Sequence, residues 1–318
     1  MDGWSESFSP FHRGEREMHE RLGIAERQDI MGRRVMRRSM PDQHRDFFAQ
    51  LPFVILGSVD DAGAPWASIL TGPAGFVTTP TDRSMRIETK ALSGDPILGN
   101  LVPNAPVSLL GIEPQTRRRN RANLRVNTYT EDRIDLRLAM SFGNCPQYIQ
   151  TREVEWSEFD ADRVEKTVLT HLTDRAIALI ARSDTFFVAS HNNVDDPETI
   201  GGVDVNHRGG KPGFVKIDGN TLTIPDFRGN NAFSTLGNFI VNPRAGLLFL
   251  DFETGDVLQL TGSAQVLHDA EETTTGVMGA QRSWSFTFEQ GHFLHNAVPS
   301  HWRFGDYAMQ LSKTGIWT

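Results

Sequence analysis

Apolar residues in this chain fall in short dense runs separated by turn-forming residues. "PFVILGSV" (52–59) is β-branched and apolar, "DDAG" (60–63) makes a turn, and "PWASILT" (65–71) reads as the return strand. Pro41 and Asp42 suit the first turn of a helix through "PDQHRDFFAQL", which leads into the first of these strands. "ETGD" (253–256) is a second turn signal, set between the apolar runs "AGLLFLDF" and "VLQLTGSAQV". Residues 12–38 mix Arg and Glu with Met18, Leu22, Ile24, Ile30, Met31, Val35 and Met36, which predicts one or two surface helices broken near Gly23 and Gly32. Helix, strand, turn, strand is the order of an antiparallel sheet with helices at its edges.

The pattern then repeats. Gly75-Phe76-Val77 recurs as Gly213-Phe214-Val215, and Leu98-Gly99-Asn100 as Leu236-Gly237-Asn238, both at an offset of 138. Asn104 and Asn242, Leu109-Leu110 and Leu247-Leu248, and Glu113 and Asp251 keep the same offset. A constant offset over some 40 residues points to an internal duplication. Each copy is preceded by a helix and a strand, "FFAQLPFVILGSV" in the first and "IALIARSDTFFVAS" in the second. Short strands with Gly- and Pro-rich turns predict a small barrel in each copy, a form that removes most open sheet edges. The division expected is an N-terminal helical extension over 1–40, a first barrel over 41–156, and a linker with more helix (157–172) leading a second barrel to 318.

Composition narrows the function. A length of 318 residues allows two cores, and a net charge of −8 argues against a general nucleic-acid binder. Cys145 is the one cysteine, so an intramolecular disulfide and a multi-cysteine zinc site are excluded; an inert buried thiol is the favoured reading. The ten histidines, among them His191, His207, His292, His295 and His301, show no H-E-x-x-H or similar spacing, so no metal is expected. The first residues lack a secretory pattern and no window approaches 18 apolar residues, so a cytoplasmic protein without a membrane partner is expected.

Against that acidic background "HRGGKPGFV" (207–215) stands out, with three cationic side chains and three glycines within seven residues. It is no Walker loop, because Pro212 and a strand-like run follow the lysine. It suits an anion: Arg208 offers a planar fork of charge-assisted donors, His207 and Lys211 add charge, and Gly209 and Gly210 let backbone amides approach. A second basic run, "TRRRNRAN" (116–123), lies in the first copy where the second has "ETGDVLQ". Strict alternation sends Arg117, Arg119 and Arg121 to one face and Arg118 and Asn120 to the other, and leaves open which face meets a ligand. Trp66, Trp284 and Trp302 read as core residues, with Trp302 the one to test for stacking on a ligand.

The stretch 229–266, with Asn242-Pro243-Arg244 ending a helix before Leu247-Leu248-Phe249, resembles the split-barrel flavoproteins related to pyridoxamine 5′-phosphate oxidase. The resemblance is good over 184–268, weaker over 46–127, and extends to "SFGNCPQYIQ" (141–150). It implies a mainly β (α+β) chain of two tandem antiparallel split barrels with peripheral helices, paired as an intramolecular pseudo-dimer. It implies one flavin mononucleotide between the barrels, with flavin adenine dinucleotide as the second candidate, and an oxidoreductase activity or a non-enzymatic flavin or haem carrier role. In the second copy it carries His207, Arg208 and Gly209, with Lys211, to the phosphate, and Ser234-Thr235 and Arg228 to the start of the following helix, where the family's lysine is missing. From the first copy it brings Arg117, Arg118 and Asn120, flanked by Arg119 and Arg121, across to the same phosphate. The first copy has Ile69-Leu70-Thr71 at the place of His207-Arg208, so one competent and one degraded site are expected. The implied partners are a flavin and a small-molecule substrate or electron donor, with a reductase as a further candidate. The chain would act as a monomer with its internal pair or as a further homodimer.

Overall fold

The computed structural model describes residues 3–156, 160–192, 202–267, 277–298 and 300–317, with the side chains of Trp156, Ser300 and His301 left out. Among them, two antiparallel sheets carry the same strand order. In the first half, β1 (Phe53–Val59), β2 (Pro65–Thr71), β3 (Val77–Thr81), β4 (Ser84–Glu88), β5 (Pro106–Glu113), β6 (Arg118–Thr130) and β7 (Arg133–Gly143) run in the order β2-β1-β5-β6-β7-β4-β3. A short strand, β8 (Arg152–Trp156), and β9 (Glu165–Leu169) follow. In the second half β10 (Thr185–His191), β11 (Val203–Gly209), β12 (Lys216–Asp218), β13 (Thr221–Phe227), β14 (Arg244–Leu250), β15 (Val257–Leu267) and β16 (Ala280–His295) run β11-β10-β14-β15-β16-β13-β12. Replacing each strand of the first order by its copy gives the second. The molecule is two tandem split barrels.

The apolar runs are explained by what each strand face meets. Val54 and Leu56 of β1 point into the core of the first barrel, with Leu109, Ala122 and Leu124. Phe53 and Ile55, on the opposite face, join Ala67, Ile69, Leu110 and Ile112 in a separate cluster with Phe187, Ala189, Val205, Leu248 and Leu250 of the second barrel. A strand buried on both faces must be apolar at every position, which is why "FVIL" shows no alternation. This shared core joins the barrels as a permanent dimer interface would, within one chain.

Helices close the barrel ends. α3 (Asp42–Ala49) inserts Phe47 and Phe48 into the first core, and α5 (Asp174–Arg182), capped by Thr173, inserts Ala176, Leu179 and Ile180 into the second. The short α4 (Ile97–Asn100) and α6 (Ser234–Val241) carry the repeated Leu-Gly-Asn. Each ends that motif with an asparagine whose Nδ2 donates at 3.0 Å to a serine of the first strand: Asn100 to Ser58, and Asn238 to Ser190.

Three expectations change. The N-terminal segment forms α1 (Arg13–Arg21) and α2 (Ala25–Val35), broken at Gly23 with φ 67° as expected. Gly32, however, lies inside α2, where the Phe11 ring occupies the space a Cβ would need. Nor are both helices mere surface: at Gly14, α1 approaches α6 so closely that a Cβ would stand 2.0 Å from the Gly237 carbonyl oxygen. The linker carries only a 3₁₀ turn at Ala161–Arg163 before β9, which pairs with β16, and its residues 157–159 lie outside the described ones. At the C-terminal side β17 (Ser300–Phe304) pairs with β8.

Candidate functional site

A cavity of about 520 Å³ opens where β6 and β7 of the first barrel meet β11, β13 and the start of α6 of the second. β11 presents Asn206 and Arg208 to it, and the first barrel presents Arg119 and Arg121. The end of β7 adds Phe142 and Gly143, the segment after it adds Asn144, Cys145, Gln147 and Tyr148, and α2 with its N-cap Ile24 forms the roof through Arg27, Gln28 and Met31.

Arg121 is the anchor of the floor. It is 1% exposed, donates from Nη1 to Asp204 at 2.7 Å and from Nη2 to Asn206, and lies 4.9 Å from the Phe142 ring centre. Asp204 is held further by the amides of Asn123 (3.1 Å) and Asn238 (2.9 Å), and Asn206 donates to the Thr235 hydroxyl at 2.8 Å. Arg119 spans the barrels with backbone contacts, from Nε to the Cys145 carbonyl at 2.5 Å and from Nη1 to the His207 carbonyl at 3.5 Å. Removal from water, with Arg121 and Arg208 nearby, pulls its guanidinium down to about 10, which leaves it a cation at neutral pH. Arg208 pairs with Asp226 at 2.7 Å, and Arg282 shares that carboxylate at 3.2 Å.

The sequence-derived residues divide accordingly. His207, Arg208, Gly209, Arg228, Ser234 and Thr235 border the cavity. The His207 imidazole, though, shares the strand face of Val205 and meets the Phe187 ring edge-on at 5.9 Å, in the core between the barrels. Burial, with Arg119, Arg208 and Arg152 nearby, lowers its pKa well below the usual range, so it brings no charge to an anion. The Ser234 hydroxyl engages Glu15 and that of Thr235 accepts from Asn206, which leaves the uncapped N-terminus of α6 facing the cavity with its amides. Lys211 is directed away, donating to the Thr314 carbonyl at 2.9 Å.

Arg117 and Arg118 also lie elsewhere. Arg117 donates to the carbonyls of Ile149, Asp306 and Tyr307, and Arg118 to that of Gln43, with its guanidinium 4.5 Å from the Phe47 ring centre. Asn120 is buried on the same face of β6 as Ala122 and Leu124, toward the first barrel's core. The reason is local. Arg117 has a left-handed backbone (φ 56°) and stands before the strand, so the alternation of β6 starts at Arg118 and aims Arg119 and Arg121 at the second barrel.

Two contributions escape the sequence reading: α2 as a roof, and the 142–148 segment as a wall. The resemblance of "SFGNCPQYIQ" to its family counterpart is the signal for the second. Cys145 is half-buried on that wall. Trp302 lies between Phe53 and Phe252, 5.1 Å from each, away from the cavity, and Trp284 is fully buried in the second barrel. Phe233, the N-cap of α6, is left-handed at φ 61°, a costly conformation for a bulky residue; the Arg282 guanidinium lies 4.8 Å from its ring centre.

At the equivalent place in the first barrel, side chains fill the groove. Gln259, fully buried, stands 138 residues after Arg121 and donates from Nε2 to the Ala67 carbonyl (2.7 Å), the Ser68 hydroxyl and Asp95. His292 Nε2 donates to Gln259 Oε1 at 2.8 Å, and Trp66 lies tilted 5.4 Å from the His292 ring. Burial pushes Asp95 up to about 6 and His292 down to about 3.

Residues 40–167 match the family model for pyridoxamine 5′-phosphate oxidase. The match falls on the first copy, whereas the closer resemblance was expected in 184–268; the second copy has longer connections after β10 and β15. No curated protein matches this chain. Among solved structures, HupZ of Group A Streptococcus is similar over 40% of this chain and 96% of its own, at 13% identity and a TM-score of 0.30. A protein of the pyridoxine phosphate oxidase family from Clostridium acetobutylicum, related to general stress protein 26, covers 41% of this chain and 92% of its own, at 15% identity and a TM-score of 0.28. HutZ, described as the haem storage protein of Vibrio cholerae, covers 39% of this chain and 94% of its own, at 13% identity and a TM-score of 0.26.

Proposed function

We propose that this chain, whose residues 40–167 match the pyridoxamine 5′-phosphate oxidase family model, is a flavin-binding oxidoreductase that holds one flavin mononucleotide between its barrels. The observation that carries the reading is the cavity's donor set. Arg119 from one barrel and Arg208 from the other converge with the amides at the start of α6 on a space of about 520 Å³, within the range of cofactor pockets. Buried polar atoms along its lining also lack partners within the protein: Arg121 Nε, Arg208 Nε, Asn144 Oδ1 and Gln147 Oε1. Such groups are costly unless a ligand or water meets them. A flavin offers a phosphate for the guanidinium groups and ring nitrogens and oxygens for the amides.

Bound there, the flavin supplies two-electron acceptance and donation. The protein supplies position and dryness. The strained Phe233 cap and α6 fix the phosphate end, the 142–148 segment and Phe227 form walls, and α2 limits water from above. Among the described residues, no side chain in the cavity is set as a strong acid or base: the Tyr148 hydroxyl donates to the Arg228 carbonyl at 2.9 Å and burial raises its pKa. This suits chemistry carried by the cofactor. A haem is disfavoured, because His207 is the one histidine of the lining among the described residues and its ring lies in the core between the barrels. The visible spectrum of the purified protein tests the reading. Flavin bands at one equivalent per chain, bleached by NAD(P)H or a comparable donor, are expected. A Soret band, or a colourless protein that rejects added flavin, overturns it.

A further inference from the structure

We propose that the mouth of this cavity is a second anion site, formed by Arg27 of the N-terminal extension with Arg228, and that it selects an organic anion as the second ligand. The proposal rests on the flavin reading for the deeper half of the cavity. Five arginines line the space, Arg27, Arg119, Arg121, Arg208 and Arg228, against one carboxylate, Asp226. Arg121 is neutralised by Asp204, and Arg208 shares Asp226 with Arg282. Arg27, Arg119 and Arg228 have no carboxylate partner among the described residues. In a chain of net charge −8 that concentration of unpaired cations marks a site for negative charge.

One phosphate on Arg119 and Arg208 answers the two half-buried cations. Arg27 and Arg228 remain, both exposed, on different elements at the rim. Their positions are tied together. Gln28, next to Arg27, donates to the Asn230 carbonyl at 3.3 Å, and His19 donates to that of Asn231 at 2.9 Å. These bonds hold the extension to the 228–231 segment, so that Arg27 and Arg228 line the same cavity from two tied elements. Beside Arg27 the roof is apolar: Met31 lies four residues after it on the same helix face, and Ile24, the N-cap of α2, also lines the cavity. The mouth therefore combines cationic forks with an apolar wall. That pairing suits a carboxylate or phosphate attached to an apolar or aromatic body. Arg27 lies outside residues 40–167, so this part of the mouth is supplied by the N-terminal extension.

Phenyl phosphate and benzoate, with neutral benzyl alcohol as control, are the probes. Binding is read by perturbation of the flavin spectrum in the flavin-loaded protein and by calorimetry in the unloaded one. The two anions should bind and the alcohol should not. Arg27→Gln should weaken the anions about tenfold at low salt, an effect that shrinks as salt is raised, while flavin affinity changes less than about twofold. Arg27→Lys should recover part of the loss, and the stronger probe tells phosphate from carboxylate. Equal binding of the alcohol, or an Arg27→Gln protein that binds anions normally, overturns the proposal. So does a flavin affinity that falls as much as the anion affinity, which would assign Arg27 to the cofactor. If flavin itself does not bind, the calorimetry still reports on the mouth, so the two readings fail separately.

Discussion

The two halves of the molecule share a support and differ in what it holds. Asn100 and Asn238 occupy the same place in the repeat and make the same bond to Ser58 and Ser190. A few ångströms away the equivalence ends. Arg121, Asn206 and Asp204 on the second barrel's side are matched by Gln259, Ser68 and Trp66 on the other. The first set leaves a cavity lined with unpaired cations and orphaned polar atoms. The second closes on itself, with Gln259 bonded to Ala67, Ser68, Asp95 and His292. Duplication within one chain permits this, because each groove can change without its twin, as a homodimer's cannot.

The largest effect should come from making one side imitate the other. Arg121→Gln copies Gln259 but leaves Asp204 buried without its cation. Removing one partner of a buried ion pair costs about 3–5 kcal/mol, so urea unfolding should show a loss of that order. Asp204→Asn added to Arg121→Gln should recover much of it. If Arg121→Gln alone unfolds at the wild-type midpoint, Arg121 is not the anchor described.

A second asymmetry is the acid that the extension places beneath the site. Glu15 is buried against α6, accepts from the His12 amide at 3.0 Å, and has its pKa raised well above the usual carboxylate range by burial and then by Asp204. The folded state therefore holds the proton more tightly than the unfolded chain. The stability this gives is complete below the unfolded value of 4.5 and is lost as pH rises from there toward the folded pKa. Glu15→Gln keeps an acceptor for the cap but cannot ionise. It should match the wild type near pH 4 and exceed it increasingly as pH rises. A constant difference between the two across that range would show that Glu15 titrates normally.

At the site itself, Arg208→Ala should weaken flavin by about 10–150-fold, or about 1.5–3 kcal/mol, the worth of a charge-assisted contact. Thr71→Ala, at the end of the equivalent strand, should leave affinity unchanged, since the groove beside it is filled. Two equal flavins per chain, or equal losses in both variants, would falsify the assignment of one competent side.

Much of this is legible in the chain wherever the copies keep step. Pro65–Thr71 maps onto Val203–Gly209 and Pro106–Glu113 onto the region of Arg244–Leu250 at the one offset of 138, and the strands agree. The offset drops to 132 for β1 and β10, because the second copy has a longer connection after its first strand. β9 is hidden for a different reason. Four of the five residues of "EKTVL" are exposed, so pairing to β16 leaves no apolar alternation to read. The face of the arginine run is hidden too, since it depends on the left-handed Arg117 that sets where β6 begins. The roof is illegible in principle. The apolar residues of α2 fit an amphipathic helix, and periodicity cannot say whether such a face covers a barrel or a ligand cavity.

The smallest expected effect bears on that roof, through a pair of glycines that are equivalent in the repeat. A Cβ on Gly237 would stand 2.6 Å from the Glu15 nitrogen and 2.8 Å from its Cα, both backbone atoms that cannot turn aside. A Cβ on Gly99, at the same place in the first barrel, would meet nothing within 4 Å. Alanine should therefore act with opposite sign at the two sites. At Gly99 it should stabilise by about 0.5–1 kcal/mol, because alanine gives up less backbone freedom in a helix than glycine does. At Gly237 it should cost about 1–3 kcal/mol through overpacking, and part of that strain can be relieved by pushing α1 off α6. The second outcome has its own signature. Protease cleavage within residues 13–35 should accelerate in Gly237→Ala and not in Gly99→Ala, and anion binding at the mouth should weaken with it, since Arg27 rides on the displaced helices. Equal responses at the two glycines would mean that the extension does not dock on the second barrel alone.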